Sequence, residues 1–191
     1  MRPIGFSAIA VLVALSAPAA AAPETFTINK PHSMVIFAID RLGLTKVWGS
    51  FTKMDGEFTV DRDNPTVSTA TLIIEPASVY TGFEARDKHL RSPDFFNVQE
   101  FPQMKFVTTK VERTGDKTAK VTGDLTLLGV TKPITLDVTF NGIKENASNK
   151  KNVAGFSAHG TFKRSEFGMK YQVGPISDDI AINIELLGDT K

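Results

Sequence analysis

From Phe26 to Leu186 the chain alternates apolar and polar residues in short runs, each closed by a turn signal. A two-residue period is the mark of strands that bury one face. The cleanest run sets Ile134, Leu136, Val138 and Phe140 against Thr135, Asp137 and Thr139. Others carry Val35, Phe37 and Ile39; Val47, Gly49 and Phe51; Ala70, Leu72 and Ile74; Met104 and Phe106; Val121, Gly123, Leu125 and Leu127; Ala154, Phe156 and Ala158; and Ile180 to Leu186. Met34, Ile36 and Ala38 make the opposite face of the first run apolar too, so it is expected to be covered, by a helix or by a second copy in a homodimer. Asp55-Gly56 reads either as a hairpin or as a bulge that bends one long strand. Gly129 marks a loop between strands, and Asn141 to Asn152 reads as a long exposed loop.

The alternation lapses from Ser78 to Pro102, where Glu84, Arg86, Asp87, Lys88, His89 and Arg91 crowd together ahead of Phe95-Phe96. Thr81 and Glu84 have capping-box spacing, and Ser92-Pro93 has the form of a second helix start. Two short helices are predicted, Gly82–Arg91 and Pro93–Phe96. About eight strands joined mostly by short turns close naturally into a barrel, whose interior either packs solid or holds one small ligand. The predicted fold is mainly β: a single antiparallel eight-stranded lipocalin-like barrel with one or two short helices near its mouth.

The N-terminus changes the picture of where this barrel works. Arg2, the apolar run Ile4 to Leu15 and the small residues Ser16 to Ala22 have the layout of a secretory signal peptide. Cleavage after Ala21 would leave one domain, residues 22–191; an uncleaved N-terminal anchor is the alternative. Removal of Arg2 leaves 21 basic against 21 acidic residues, a balance that argues against a nucleic-acid binder. Cysteine is absent, so no disulfide assists the core. Export without cysteine fits a periplasmic location.

Catalytic chemistry has little to build on. Neither a thiol nor a G-x-S-x-G elbow is present, and His32, His89 and His159 lack metal-motif spacing, which leaves only a metal site assembled across strands. Asp124 and Asp137 could face each other across the Gly129 hairpin, or be solvated surface charges. The fourteen phenylalanines admit two readings: a packed core, or a tunnel in which Phe37, Phe51, Phe106, Phe140 and Phe156 line an aliphatic chain. The cluster Arg86, Lys88, His89 and Arg91 is either a solvated helix face or an anion site that Arg164 could join.

The ordered set His32-Ser33, Leu42-Gly43 with Val47-x-Gly49-x-Phe51, Ser78-Val79-x-Thr81, Arg86-Asp87-x-His89-Leu90, Ser92-Pro93-Asp94-Phe95-Phe96, Gly129 to Pro133, and Arg164-x-x-Phe167-Gly168 resembles the YceI family over about 26–187. Arg41 and Tyr80 depart from the family pattern, which more often has histidine and an acidic residue there. The resemblance implies a non-enzymatic periplasmic binder or carrier of a polyprenyl phosphate, isoprenoid quinone or similar lipid, with transient membrane contact and no cofactor. It implies a tunnel wall of Val35, Phe37, Phe51, Leu72, Ile74, Phe106, Leu125, Leu136 and Phe156, with Arg86, His89, Arg91 and Arg164 near the head group. Alternatives on the same fold are a fatty acid, fatty amide or other amphiphile as ligand, a lipid-phosphate-acting enzyme using Arg86 and His89, and a solid-core stress or adhesion module.

Overall fold

The computed structural model describes residues 22–191; the expected leader lies outside them. Three long wall strands are each broken by a short kink. β1 (Glu24–Ile28) and β2 (Met34–Arg41) flank a 3-10 turn at Lys30–His32, and both pair with the last strand. β3 (Thr45–Phe51) and β4 (Met54–Val60) form the second wall, and β5 (Thr69–Ile74) with the two-residue β6 (Val79–Tyr80) the third. After α1 (Glu84–Leu90) come β7 (Met104–Arg113), β8 (Thr118–Leu127), β9 (Val130–Glu145), β10 (Asn152–Lys163) and β11 (Asp179–Thr190). Every neighbouring pair is antiparallel, and β11 returns to β1 and β2, so the eight walls form a closed barrel, with the short β6 paired on one side only, to β3.

The kinks keep the apolar face inward. Phe26 and Ile28 are buried at even positions of β1, whereas β2 buries Val35 and Phe37 at odd ones. The second wall shifts the same way, from Phe51 to Met54, Phe58 and Val60. A strand that slipped by one residue without such a break would turn its phenylalanines to solvent. Asp55-Gly56 is therefore no hairpin. Gly56 lies within β4 at φ +144°, where an added β-carbon would sit 2.1 Å from the Thr71 carbonyl oxygen.

Two other expectations change. β9 and β10 run on past Asn141, with a register shift beside Gly155, so the exposed loop shrinks to residues 146–151. Covering of the first strand's outer face is uneven: Ala38 is buried, but Met34 is half exposed.

The turns at 42–44, 81–103, 128–129 and 164–178 lie at one end of the barrel. The chain termini and the other loops lie at the opposite end.

Candidate functional site

Two cavities lie along the barrel interior. The larger, about 420 Å³, opens at the α1 end; the smaller, about 300 Å³, lies toward the other end. Both fall within or near the range usual for small-molecule sites. Leu72, Phe106, Leu136 and Ile184 line both and form the partition between them. Of the sequence-predicted tunnel residues, Val35, Phe37, Phe51, Ile74 and Leu125 line the larger cavity. Phe156 lines the smaller together with Phe58 and Phe140. The fully packed interior that the sequence also allowed is not what forms.

Glycines make room for the rings. A β-carbon on Gly49 would lie 2.3 Å from Cζ of Phe37, and one on Gly123 would lie 2.2 Å from Cζ of Phe106. Each phenylalanine thus lies flat over a neighbouring strand, which a larger residue would prevent.

The mouth is built from the segment between β6 and β7. Its one helix begins at Glu84, with Phe83 at the N-cap and no side-chain cap. The capping box does not form because Gly82, at φ +76°, turns the chain, and Thr81 contacts Asp87 instead. Asp87 is 1% exposed and accepts from both the Thr81 amide and hydroxyl. The expected second helix at Pro93–Phe96 is a hydrogen-bonded turn, with the Phe96 amide on Leu90 O and the Val98 amide on Arg91 O. It drives Phe95 and Phe96 inward, and Phe96 meets Phe51 edge-on at 5.5 Å.

Three of the four sequence-predicted head-group residues, Arg86, His89 and Arg164, line the larger cavity; Arg91 does not. Their polar groups are engaged within the protein. Arg86 donates to Thr81 Oγ1 and O, at 2.7 and 2.8 Å, and lies over the Phe83 ring. Arg91 donates to the carbonyls of Ala77 and Val79, bracing the helix on β6. His89 Nε2 is 2.8 Å from Asp94 Oδ2, and its ring packs against Phe95 and Tyr171.

Arg164 is the most deeply placed cation, at 1% exposure. It donates to the carbonyl oxygens of Met169, Tyr171, Ile176 and Ser177, at 2.9–3.1 Å, and so organises the whole 164–178 loop. Burial lowers its pKa, and Asp178 opposes that shift. The loop in turn docks on the end of β2, where Ser177 N donates to Asp40 O and Leu42 N to Pro175 O.

One further mouth residue stood out in the sequence only as a departure from the family pattern, not as a site residue. Arg41, at the end of β2, lines the larger cavity, and its buried Nη1 has no hydrogen-bond partner. Asp124 and Asp137 do not face each other: Asp124 pairs with Pro133, while Asp137 bonds Lys120 on the outer face. The three histidines stay apart, and among the described residues no group of three His, Asp or Glu side chains could hold a metal ion.

A YceI-like domain model matches residues 26–187. The chain belongs to the YceI-like family. A UPF0312 protein of Pseudomonas putida strain W619 is 39% identical over 96% of this chain and 95% of its own length. The protein YceI of Escherichia coli O157:H7 is 41% identical over 82% and 81%. Among solved structures, the YceI protein of Campylobacter jejuni superimposes with a TM-score of 0.72 at 33% identity, over 78% of this chain and 87% of that one. A polyisoprenoid-binding domain from Saccharophagus degradans shares the fold, with a TM-score of 0.64 at 16% identity over 87% and 98%.

Proposed function

We propose that this protein is a non-catalytic periplasmic carrier that holds the tail of a long isoprenoid lipid inside the barrel. The carrying observation is the pair of apolar cavities end to end within a closed barrel, the larger open beside α1. Burying a tail there is favourable by about 0.8 kcal/mol for each methylene removed from water. The fold shared with a polyisoprenoid-binding domain supports this choice of tail.

Loading would take place at a membrane. Leu42, Leu44, Trp48, Tyr80, Phe83 and Tyr171 are exposed around the mouth. Apolar patches of this kind mark contact surfaces, and tryptophan and tyrosine suit the boundary between water and acyl chains. A tail leaving the bilayer through such a rim would enter the cavity without crossing water.

Native mass spectrometry of the purified protein tests the function. A bound lipid of isoprenoid mass, or uptake of an added polyprenyl lipid, is expected. A protein that is reproducibly empty and takes up none would overturn the carrier function.

A further inference from the structure

We infer that Arg41 anchors an anionic head group, so that the ligand is an acidic lipid rather than a neutral one such as a quinone or alcohol. This rests on the carrier function proposed above and narrows it to a class of head group. The lining of the mouth cavity contains Arg41, Arg86, Lys105, Arg164 and His89, and no aspartate or glutamate. A one-signed charge lining inside apolar walls concentrates ligands of the opposite sign.

Within that set Arg41 is distinct. Arg86 is bonded to Thr81, and Arg164 to four backbone carbonyls. Nη1 of Arg41 is buried and has no partner. A desolvated guanidinium N–H without an acceptor is unfavourable, whereas Arg86, Arg164 and His89 are bonded within the protein and Lys105 is exposed to solvent. Arg41 follows Val35, Phe37 and Ile39 on the inward face of β2, and its backbone is bridged to Ile176 of the loop that Arg164 holds. Its backbone is therefore fixed at the end of the apolar wall nearest the opening. A phosphate or carboxylate on a lipid whose tail lies against Phe37 would supply the missing acceptor.

Purified protein stripped of co-purified lipid would be titrated with two matched pairs, geranylgeranyl monophosphate with geranylgeraniol and palmitate with hexadecanol. Wild type should prefer the monophosphate to its alcohol by about tenfold or more, the range of a hydrogen bond to a charged group. Arg41→Gln should abolish that preference and leave alcohol affinity unchanged. A preference in both pairs supports any anionic head, and one confined to the first supports phosphate. The empty Arg41→Gln protein should melt no lower than wild type. Equal affinities within each wild-type pair, or a preference that survives Arg41→Gln, would overturn the assignment while leaving the carrier function standing. Binding of none of the four probes would overturn both.

Discussion

Phe106 lies over Gly123: a β-carbon at residue 123 would come 2.2 Å from the ring's Cζ and 2.7 Å from the Val107 carbonyl oxygen. One contact could be relieved by rotating the ring, but the other is backbone. Gly123→Ala should therefore cost about 1–3 kcal/mol, the usual penalty for overpacking a core. Chemical denaturation would measure it. Because Phe106 is part of the partition between the cavities, the surviving fold should also bind long tails differently from wild type.

The smaller cavity offers a direct test of tail length. Ala158 lines it and has no contact with the mouth cavity. Ala158→Phe should fill that space and exclude the far end of a long tail. Losing even two methylenes from burial weakens binding by about tenfold. Competition assays with tails of graded length should show that loss for the longest tails and none for those short enough for the mouth cavity. A uniform loss at all lengths would mean that the two cavities do not act in series.

Alternation was enough to read eight antiparallel walls and most of the inward face, because burial on one side of a strand imposes a period of two. The kink at 29–33 was not legible, and the bend in the second wall was legible only as one of two readings of Asp55-Gly56, without its position. At residues 29–33 and 52–53 the inward phase shifts by one, and a phase shift looks the same as the end of a strand. Thr81 and Glu84 had capping-box spacing, yet Gly82 adopts a positive φ and the Thr81 side chain turns to Asp87. Arg164 was read as a head-group candidate beside Phe167-Gly168, and its role in holding the loop was not visible. Its partners are carbonyls of an aperiodic loop, and backbone acceptors leave no trace in side-chain pattern. Arg41 stood out as a departure from the family pattern, but its missing partner is a property of the folded mouth.

Arg164 and Asp178 together hold that loop. Arg164→Met would strand four carbonyl oxygens, and breaking a buried charged network costs about 3–5 kcal/mol. Arg164→Lys should recover little, since an ammonium cannot reproduce the guanidinium fork. Hydrogen exchange should show the loss first at residues 168–178. Burial opposes ionisation of Asp178, but hydrogen bonds from the Ser165 hydroxyl and amide, with the charges of Lys163 and Arg164, outweigh it and hold the carboxyl below its usual pKa. A depressed folded pKa stabilises the protein above the unfolded value of about 4, and that contribution is lost as pH falls through the folded pKa. Ser165→Ala should flatten the acid limb of a stability-versus-pH curve below about pH 4 and leave its shape at neutral pH unchanged.

The exposed rim predicts how the protein meets a bilayer. Trp48 is the chain's one tryptophan and is 54% exposed, so its emission reports directly on the mouth. Phospholipid vesicles should shift that emission to the blue as the indole leaves water. Leu44, at the tip of the β2–β3 turn, is 84% exposed and touches little else in the fold, so Leu44→Asp should leave stability within about 0.5 kcal/mol of wild type. A charge at that tip is unfavourable at the membrane boundary, and the same variant should require several-fold more vesicle to produce the shift. If Leu44→Asp binds vesicles as wild type does, while lipid uptake from detergent also stays unchanged, the rim is not the docking surface. If vesicle uptake alone falls, membrane contact is a separate step from tail burial, and the two can be measured independently.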